Sequence, residues 1–443
     1  MKALDNTFLG KTVGFFGLGK SNLALIDSLP LDGAEIILRS DGKIPREELP
    51  ERLRGCKIFE GDAALRDISE DILFLSPSVR RDRREISEAA IRGVKISSDY
   101  ELFLEKCEKP IYAVTGSDGK STTATLIALL LGEKCSLIGN VGVPMYPALF
   151  GGAETFVCEI SSFMLSASVP RAKRACVTNV TPNHLDFHGS FEEYARVKLS
   201  LLERAEEKII NFDDEILREY AKFTFVFGIT SARQDFSTLK SLYRAENYVT
   251  YEKNAVFFNG ERLIGAEGIL RREPHNIKNL MTAIAVTCGE VSPEKIREVA
   301  ESFSGLAHRC ELVGSFNGVD YFNSSIDSTP ARTAETIRSL GRRAVIILGG
   351  RGKGVSYDAL CEPLKIFCAR AVIYGEDAEV IHRAIKDACP TLTVDGFDEA
   401  VVFAKELGRE CGAVLLSPAA TSYDEFKSFE ERGERFKKII QNS

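Results

Sequence analysis

The sequence has no run of eighteen apolar residues, no CxxC pair, no Cys/His cluster, no block of basic residues and no tryptophan. Without a long apolar run there is no candidate membrane-spanning helix, since crossing a bilayer takes about 20 such residues. Eleven cysteines are scattered between Cys56 and Cys411, an odd count without a framework that suits free thiols in a reducing cytosol. The formal charge of -7 arises from 57 basic and 64 acidic residues. Their mixing along the chain leaves no electrostatic footprint for nucleic acid or anionic lipid. The opening "MKALDNTFLGK" lacks the apolar core of a signal peptide, so a cytoplasmic location and no membrane insertion are expected. What is present is 44% apolar and 27% charged residues, over a length that suits two or three domains.

Short apolar runs alternate with amphipathic stretches almost from end to end, the pattern of parallel, doubly wound α/β sheets. A first unit, residues 1–98, carries strands in "KTVGFFG", "AEIILRSD" and "DILFLSPS". A second, 99–305, opens with the strand of "PIYAVTG" and a helix running to Leu131. It continues through "TFVCEISS", "ACVTNV" and "KIINFDD", and its segment from about 223 to 272 reads as smaller strands. A third, 306–443, holds strands in "VDYFNSSIDS", "RAVIILGGRGKG" and "GAVLLSPAATS".

The stretch "AVTGSDGKSTT", residues 113–123, ends like a phosphate-binding loop. A full Walker A loop has a further glycine five positions before Gly119, where this chain has Val114. Gly116 and Gly119 let the backbone curl its N–H groups toward one anion, with Ser117 and Asp118 between them. Lys120 can reach outer phosphates, and the hydroxyl of Ser121 or Thr122 can hold Mg²⁺ at a helix start. An incidental lysine in a tight turn is the plainer possibility. The strand before and the helix after favour nucleotide.

This shortened loop resembles the TGxxGK[ST] loop of the Mur ligase family, ATP-dependent enzymes that form amide bonds in cell-wall precursor assembly and folate polyglutamylation. Other segments carry the same resemblance. "CEISSFMLS" resembles the family's E-[LIV]-S-S-[FY] strand end, which implies Glu159 as an Mg²⁺ ligand and Ser161 as a substrate contact. "TNVTPNHLDFHGSFEEYARVKLSLLE" resembles the segment that implies His184 as a metal-ligand histidine and Lys198 as a carbamylated lysine. That lysine sits on a helix opened by a capping box from Ser190 to Glu193. "EPHNIKNLMTAIAV" implies Asn276 and Asn279 near adenine and ribose, and "GLAHRCE" implies Arg309 near the ATP phosphates.

The two ends of the chain resemble the branch of the family that adds D-glutamate to UDP-N-acetylmuramoyl-L-alanine. "LLSPAATSYDEFKSFEERGERFKKII" implies Ser422, Tyr423 and Phe429 around D-glutamate, "LGGRGKG" implies Lys353, and Ser328 stands at a hydroxyl position for the same substrate. The UDP part is expected on Gly17, Leu18, Gly19 and Lys20, with Arg39, Ser40 and Asp41, and Ser76 to Ser78, at neighbouring strand ends near the uridine, and Asn140 and Ser161 further on. The resemblance implies three domains: a Rossmann-like first domain, a P-loop ATPase-like central domain with a parallel sheet, and a Rossmann-like third. It implies ATP, two Mg²⁺ ions, small-molecule substrates only, and a monomer. Where that branch reads D-S-K-A-T-x-P, this chain has Ser324 and Ile326 in place of the aspartate and lysine, with Asp327 adding a carboxylate. An NAD(P)-binding oxidoreductase, suggested by Gly17 and Gly19, is disfavoured by Asn22 where the third glycine of GxGxxG would stand. The C-terminal signature speaks against a ligase for a different amino acid or for folate. Lys120, Glu159, His184 and Lys198, present together, speak against a noncatalytic binding module.

Overall fold

The computed structural model describes residues 8–77, 79–270 and 273–442; Ser78, expected near the uridine, and the first seven residues of the opening stretch lie outside the described residues. The chain divides into a unit ending at Phe303 and a unit starting at Ser304.

The first unit contains two sheets. One is built from β1 (Thr12–Phe16), β2 (Glu35–Ser40), β3 (Lys57–Glu60), β4 (Ile72–Leu75) and β5 (Lys95–Ser97), in the order β3-β2-β1-β4-β5. Every pairing is parallel. β1 and β4 read as nearly unbroken apolar runs because helices cover both faces of such a sheet, and Val13, Phe15, Phe16, Leu73 and Phe74 are buried. β3 and β5, the short edge strands, carry no apolar run that marks them.

The second sheet comprises β6 (Ile111–Thr115), β7 (Cys135–Gly139), β8 (Thr155–Glu159), β9 (Ala172–Val177), β10 (Ala205–Asn211), β11 (Val226–Ser231), β12 (Ala245–Glu252), β13 (Ala255–Phe258) and β14 (Glu261–Gly265). Its order is β14-β13-β12-β11-β10-β9-β6-β8-β7. The pairings are parallel from β7 through β12, and only the β12-β13-β14 edge is antiparallel. The segment expected as small strands therefore holds β11 to β14 and also a helix, Phe236–Leu242, capped by Asp235 accepting from Thr238 N. β7 is a further strand beyond those expected from the sequence.

The two sheets of this unit are joined through the helix Asp99–Lys106. Asp99 accepts from Met145 N at 2.9 Å and Tyr146 N at 2.8 Å, and Tyr146 packs into the core of the first sheet. Burial raises the Asp99 carboxyl above its usual range, and the two backbone donors oppose that rise.

The second unit carries β15 (Glu311–Phe316), β16 (Val319–Asn323), β17 (Ala344–Gly349), β18 (Cys368–Tyr374), β19 (Thr391–Thr393) and β20 (Ala413–Ala419), in the order β15-β16-β20-β17-β18-β19. β15 runs antiparallel to β16 and the rest are parallel. Separate apolar clusters cover its two faces. In all three sheets the loops singled out from sequence follow the carboxyl ends of parallel strands, where open α/β sheets place ligands.

Candidate active site

The phosphate-loop candidate follows β6 and leads into the helix Lys120–Leu131. Gly116 adopts φ +149°, and a side chain there would collide with Thr178 Oγ1. Gly119 adopts φ +77° against Asn279 Oδ1, where a side chain would also clash. Both glycines are therefore required by conformation and by close approach.

Three residues without a role in the sequence motifs hold this loop. Asn179 clamps Asp118 from both sides: its Oδ1 accepts from Asp118 N at 2.9 Å and its Nδ2 donates to Asp118 O at 3.1 Å. Thr178 Oγ1 donates to Asp118 O. Tyr194 OH lies 3.0 Å from Ser117 Oγ, which in turn donates to Thr181 O at 2.9 Å. The signal for Asn179 is its place at the head of "TNVTPNH". Tyr194, one helical turn before Lys198, has the pattern of an ordinary core aromatic.

Lys120 Nζ donates to Gly116 O at 3.0 Å and Ser117 O at 2.7 Å. Lys198 Nζ donates to the same Gly116 O at 2.7 Å and lies 4.7 Å from the centre of the Tyr194 ring. The two lysines meet at one carbonyl. Lys198, on the helix Phe191–Glu203, is only 1% exposed, which rules out a solvated surface lysine. Burial first, and the charge of Lys120 second, lower its pKa from the ordinary 10.5 to about 7, while Asp118 and Glu159 act in the opposite direction. The amine is thus substantially neutral near neutral pH. The helix is capped as expected by Ser190 Oγ accepting from Glu193 N at 3.1 Å. The Glu193 carboxylate, though, pairs with Arg196.

Glu159 ends β8 beside β6, in register with Val114. It is fully buried; Oε1 accepts from Asn140 Nδ2 at 3.0 Å, and Oε2 has no partner among the described residues. A buried carboxylate oxygen left open in this way fits a cation, because burying an unpaired charge is otherwise costly. Ser121 is buried in the first turn of the following helix. His184 sits exposed with φ +51°, heading the short helix Leu185–His188, its ring 5.0 Å from that of Phe163. No group of three His, Cys, Asp or Glu side chains able to hold a metal occurs among the described residues. The single open carboxylate oxygen of Glu159 suits Mg²⁺, which binds through one or two carboxylates plus substrate phosphates.

Asn276 and Asn279 lie on the helix Pro274–Thr287 and are nearly buried. Asn279 Oδ1 accepts from Thr123 Oγ1 at 3.3 Å, and Asn276 Nδ2 donates to Glu273 at 3.0 Å. Gly17, Leu18, Gly19 and Lys20 form the turn from β1 into the helix Lys20–Ser28. Ser40 ends β2 and Ser76 follows β4. Arg39, expected near the uridine, is instead buried and donates to Glu70 at 2.6 Å and Ala64 O at 2.9 Å, while Asp41 accepts from Arg83 at 2.6 and 2.8 Å. Asn140 and Ser161 stand at the second sheet beside Glu159, Ser161 capping the helix Ser162–Ala167.

In the second unit Lys353 Nζ donates to Ser328 Oγ at 3.1 Å, so the structure brings these two together. Ser422 is buried, Tyr423 is exposed, and Phe429 begins the helix Phe429–Gln441. Arg309 also belongs to this unit, its N–H donating to Leu306 O at 3.2 Å. Arg432, to which no sequence motif gives a role, is fully buried. It donates to Ser325 Oγ at 3.0 Å and Ser325 O at 2.9 Å, and also to Ala420 O at 3.2 Å and Gly349 O at 3.4 Å. One guanidinium thus ties together the ends of β16, β17 and β20, whose loops carry Ser328, Lys353 and Ser422. The added carboxylate Asp327 is buried, accepts from Thr336 Oγ1 at 2.7 Å and Ser417 Oγ at 2.8 Å, and lies 3.8 Å from Arg332. It is part of the framework.

The Mur ligase middle domain family matches residues 114–287. The UDP-N-acetylmuramoylalanine–D-glutamate ligase of Ruminiclostridium cellulolyticum is 34% identical over 461 residues, covering 98% of this chain and 97% of its own length. The ligase of the same name from Acetivibrio thermocellus is 35% identical over 459 residues, covering 98% and 96%. The chain belongs to the Mur ligase family. Among solved structures, the UDP-N-acetylmuramate–alanine ligase of Thermotoga maritima matches with a TM-score of 0.60 at 16% identity, over 98% of this chain and 99% of that one. A pseudomurein peptide ligase type C from Methanothermus fervidus matches at 0.51 and 15% identity, over the same shares. At such identities the likeness bears on the fold, which is that of other Mur ligases. No helix among the described residues of this Mur ligase is long and apolar enough to cross a membrane.

Proposed function

We propose that this Mur ligase is a cytoplasmic, ATP-dependent enzyme that joins D-glutamate to UDP-N-acetylmuramoyl-L-alanine in peptidoglycan precursor synthesis. The observation that carries the reading is similarity over 98% of the chain to ligases named for that addition. Residues 1–98 hold the UDP substrate, 99–305 hold ATP, and 306–443 hold D-glutamate.

A carboxylate and an amine do not condense in water without a leaving group. The carboxylate of the alanyl end attacks the γ-phosphorus of ATP, ADP departs, and an acyl phosphate forms. The D-glutamate amine then attacks the acyl carbon, and phosphate leaves as the amide forms. Lys120 leaves its loop carbonyls for the transferring phosphoryl group, whose loose transition state is stabilised mainly by placed charge. Ser121, Glu159, His184 and Lys198 are the groups that would hold two Mg²⁺ ions, and those ions would supply charge neutralisation at the phosphates. The open Oε2 of Glu159 supports that role.

Lys198 takes part as its carbamate. Its neutral amine attacks the carbon of CO2 and releases a proton to solvent, so a buried neutral group becomes an anion. The lowered pKa supports this chemistry, because only the neutral amine is nucleophilic. Lys353, with Ser328, offers a cation to a D-glutamate carboxylate.

Phosphate release tests the assignment. Sustained release requires ATP, the UDP-linked acceptor and D-glutamate together, because the acyl phosphate must both form and be consumed. Turnover with L-lysine or a diamino acid, and none with D-glutamate, rejects it.

A further inference from the structure

Asn22 stands where a GxGxxG turn has its third glycine, five residues after Gly17. Its side chain is 0% exposed. Nδ2 faces three main-chain carbonyls, donating to Gly17 O at 2.8 Å, Phe16 O at 3.2 Å and Phe74 O at 3.4 Å. Phe16 and Phe74 belong to β1 and β4, adjacent parallel strands. Oδ1 has no partner among the described residues. Buried side-chain acceptors are rarely left unpaired. Glycine would bring no such acceptor, so the use of the amide here lies in its donor end.

The donor end acts through peptide planarity. In a trans peptide the carbonyl and the following N–H point in opposite directions, and no cis peptide occurs among the described residues. Asn22 draws the Gly17 carbonyl inward, toward the ends of β1 and β4. The N–H of Leu18 is thereby turned outward. Neither Leu18 nor Gly19 has an acceptor for its N–H among the described residues. The helix Lys20–Ser28 follows at once, and Gly19 supplies no side-chain cap to its N-terminus.

We propose that Asn22 is a positioning residue that aims the Leu18 N–H at the diphosphate of the UDP-linked substrate. The inference rests on the placement of that substrate on residues 1–98 under the proposed function. Asn22 itself is buried beneath the turn and makes no contact with ligand. In a turn with glycine at this position, the Gly17–Leu18 peptide is free of this tether.

The test compares the full-length wild type with Asn22→Gly, which removes the side chain, and Asn22→Asp, which keeps its shape while turning an acceptor toward three carbonyls. Calorimetric titration with UDP and with UDP-N-acetylmuramoyl-L-alanine is run beside steady-state kinetics, and ATP binding is the control for folded protein. In both variants Kd and KM for the UDP ligands should rise by about tenfold or more, while kcat at saturation and KM for ATP and D-glutamate stay within about twofold. A purely structural role would instead lower the melting temperature and kcat and leave KM for the UDP substrate in place; that result, or wild-type affinity in Asn22→Gly, overturns the proposal. If the wild type itself binds no UDP ligand while binding ATP, the substrate placement fails and the inference falls with it. A variant that loses ATP binding as well also counts against selective positioning.

Discussion

Carbon dioxide should be a reagent for this enzyme, and Lys198 its target. The perturbation is removal of CO2, and its size follows from burial. A lysine with the ordinary pKa of 10.5 is only about 0.3% neutral at pH 8, whereas one at about 7 is about 90% neutral, roughly 300 times more reactive amine. The sign is set by the direction of the shift. Below pH 7 the amine is protonated and cannot attack CO2, so carbamate content falls as pH drops through about 7. Enzyme equilibrated with ¹³C-bicarbonate at pH 8 should give one carbamate resonance that is absent in Lys198→Arg and much weaker at pH 6. Stripping CO2 at pH 8 should depress turnover, and bicarbonate should restore it. In Lys198→Ala, turnover should be nearly abolished and partly revived by short carboxylic acids, which place an anion where the carbamate stood. A spectrum with no Lys198-dependent resonance at pH 8, together with activity indifferent to CO2, would refute the reasoning.

Lys120→Ala should lower turnover by about 10³-fold while leaving affinity for the UDP substrate unchanged by calorimetry, since removing one preorganised charge partner costs on that order; equal loss of both would make Lys120 structural. Gly116→Ala combines φ +149° with a collision against Thr178, and should cost about 1–3 kcal/mol in denaturant unfolding and weaken ATP binding. Wild-type stability and ATP affinity in that variant would show that the loop can relax. Arg432→Met strands the buried carbonyls of Ser325, Gly349 and Ala420; a loss of roughly 3 kcal/mol is expected, with a raised KM for D-glutamate and an unaltered Kd for ATP. An unchanged KM for D-glutamate would separate this guanidinium from the substrate loops.

Elements with strong one-dimensional signals are legible in the sequence. β1, β4 and β6 are buried on both faces and appear as apolar runs, and the turn after β6 announces itself through Gly116 and Gly119. Edge strands give no such signal. β3 holds only two apolar residues, Ile58 and Phe59, between Lys57 and Glu60, and β5 and β19 span three residues each, too short for any period to show. Roles created by long-range contacts are also hidden. Arg432 lies more than eighty residues from Gly349, so its charge reads as one more solvated group in "FEERGERF" until the fold buries it. Lys198 presents the same difficulty in reverse: on a helix with an amphipathic pattern a lysine belongs in water, and only the family resemblance marks it until the fold buries it.

The altered "NSSIDSTP" segment shows how a charge count can mislead. Read along the chain, the loss of an aspartate at Ser324 and a lysine at Ile326 beside the gain of Asp327 looks like a carboxylate shifted by three positions. In the fold the positions are not equivalent. Ser324 is buried and its Oγ accepts from Cys310 N at 3.1 Å, so this side chain braces the stretch next to Arg309. Asp327 is held by Thr336 and Ser417 with Arg332 nearby, so its charge is committed to the start of the helix Pro330–Leu340. Replacement of the substrate-side charge therefore cannot come from Asp327. The cation placed with the Ser328 hydroxyl is Lys353, at 3.1 Å, so under the proposed function the positive charge for a D-glutamate carboxylate is expected from this lysine.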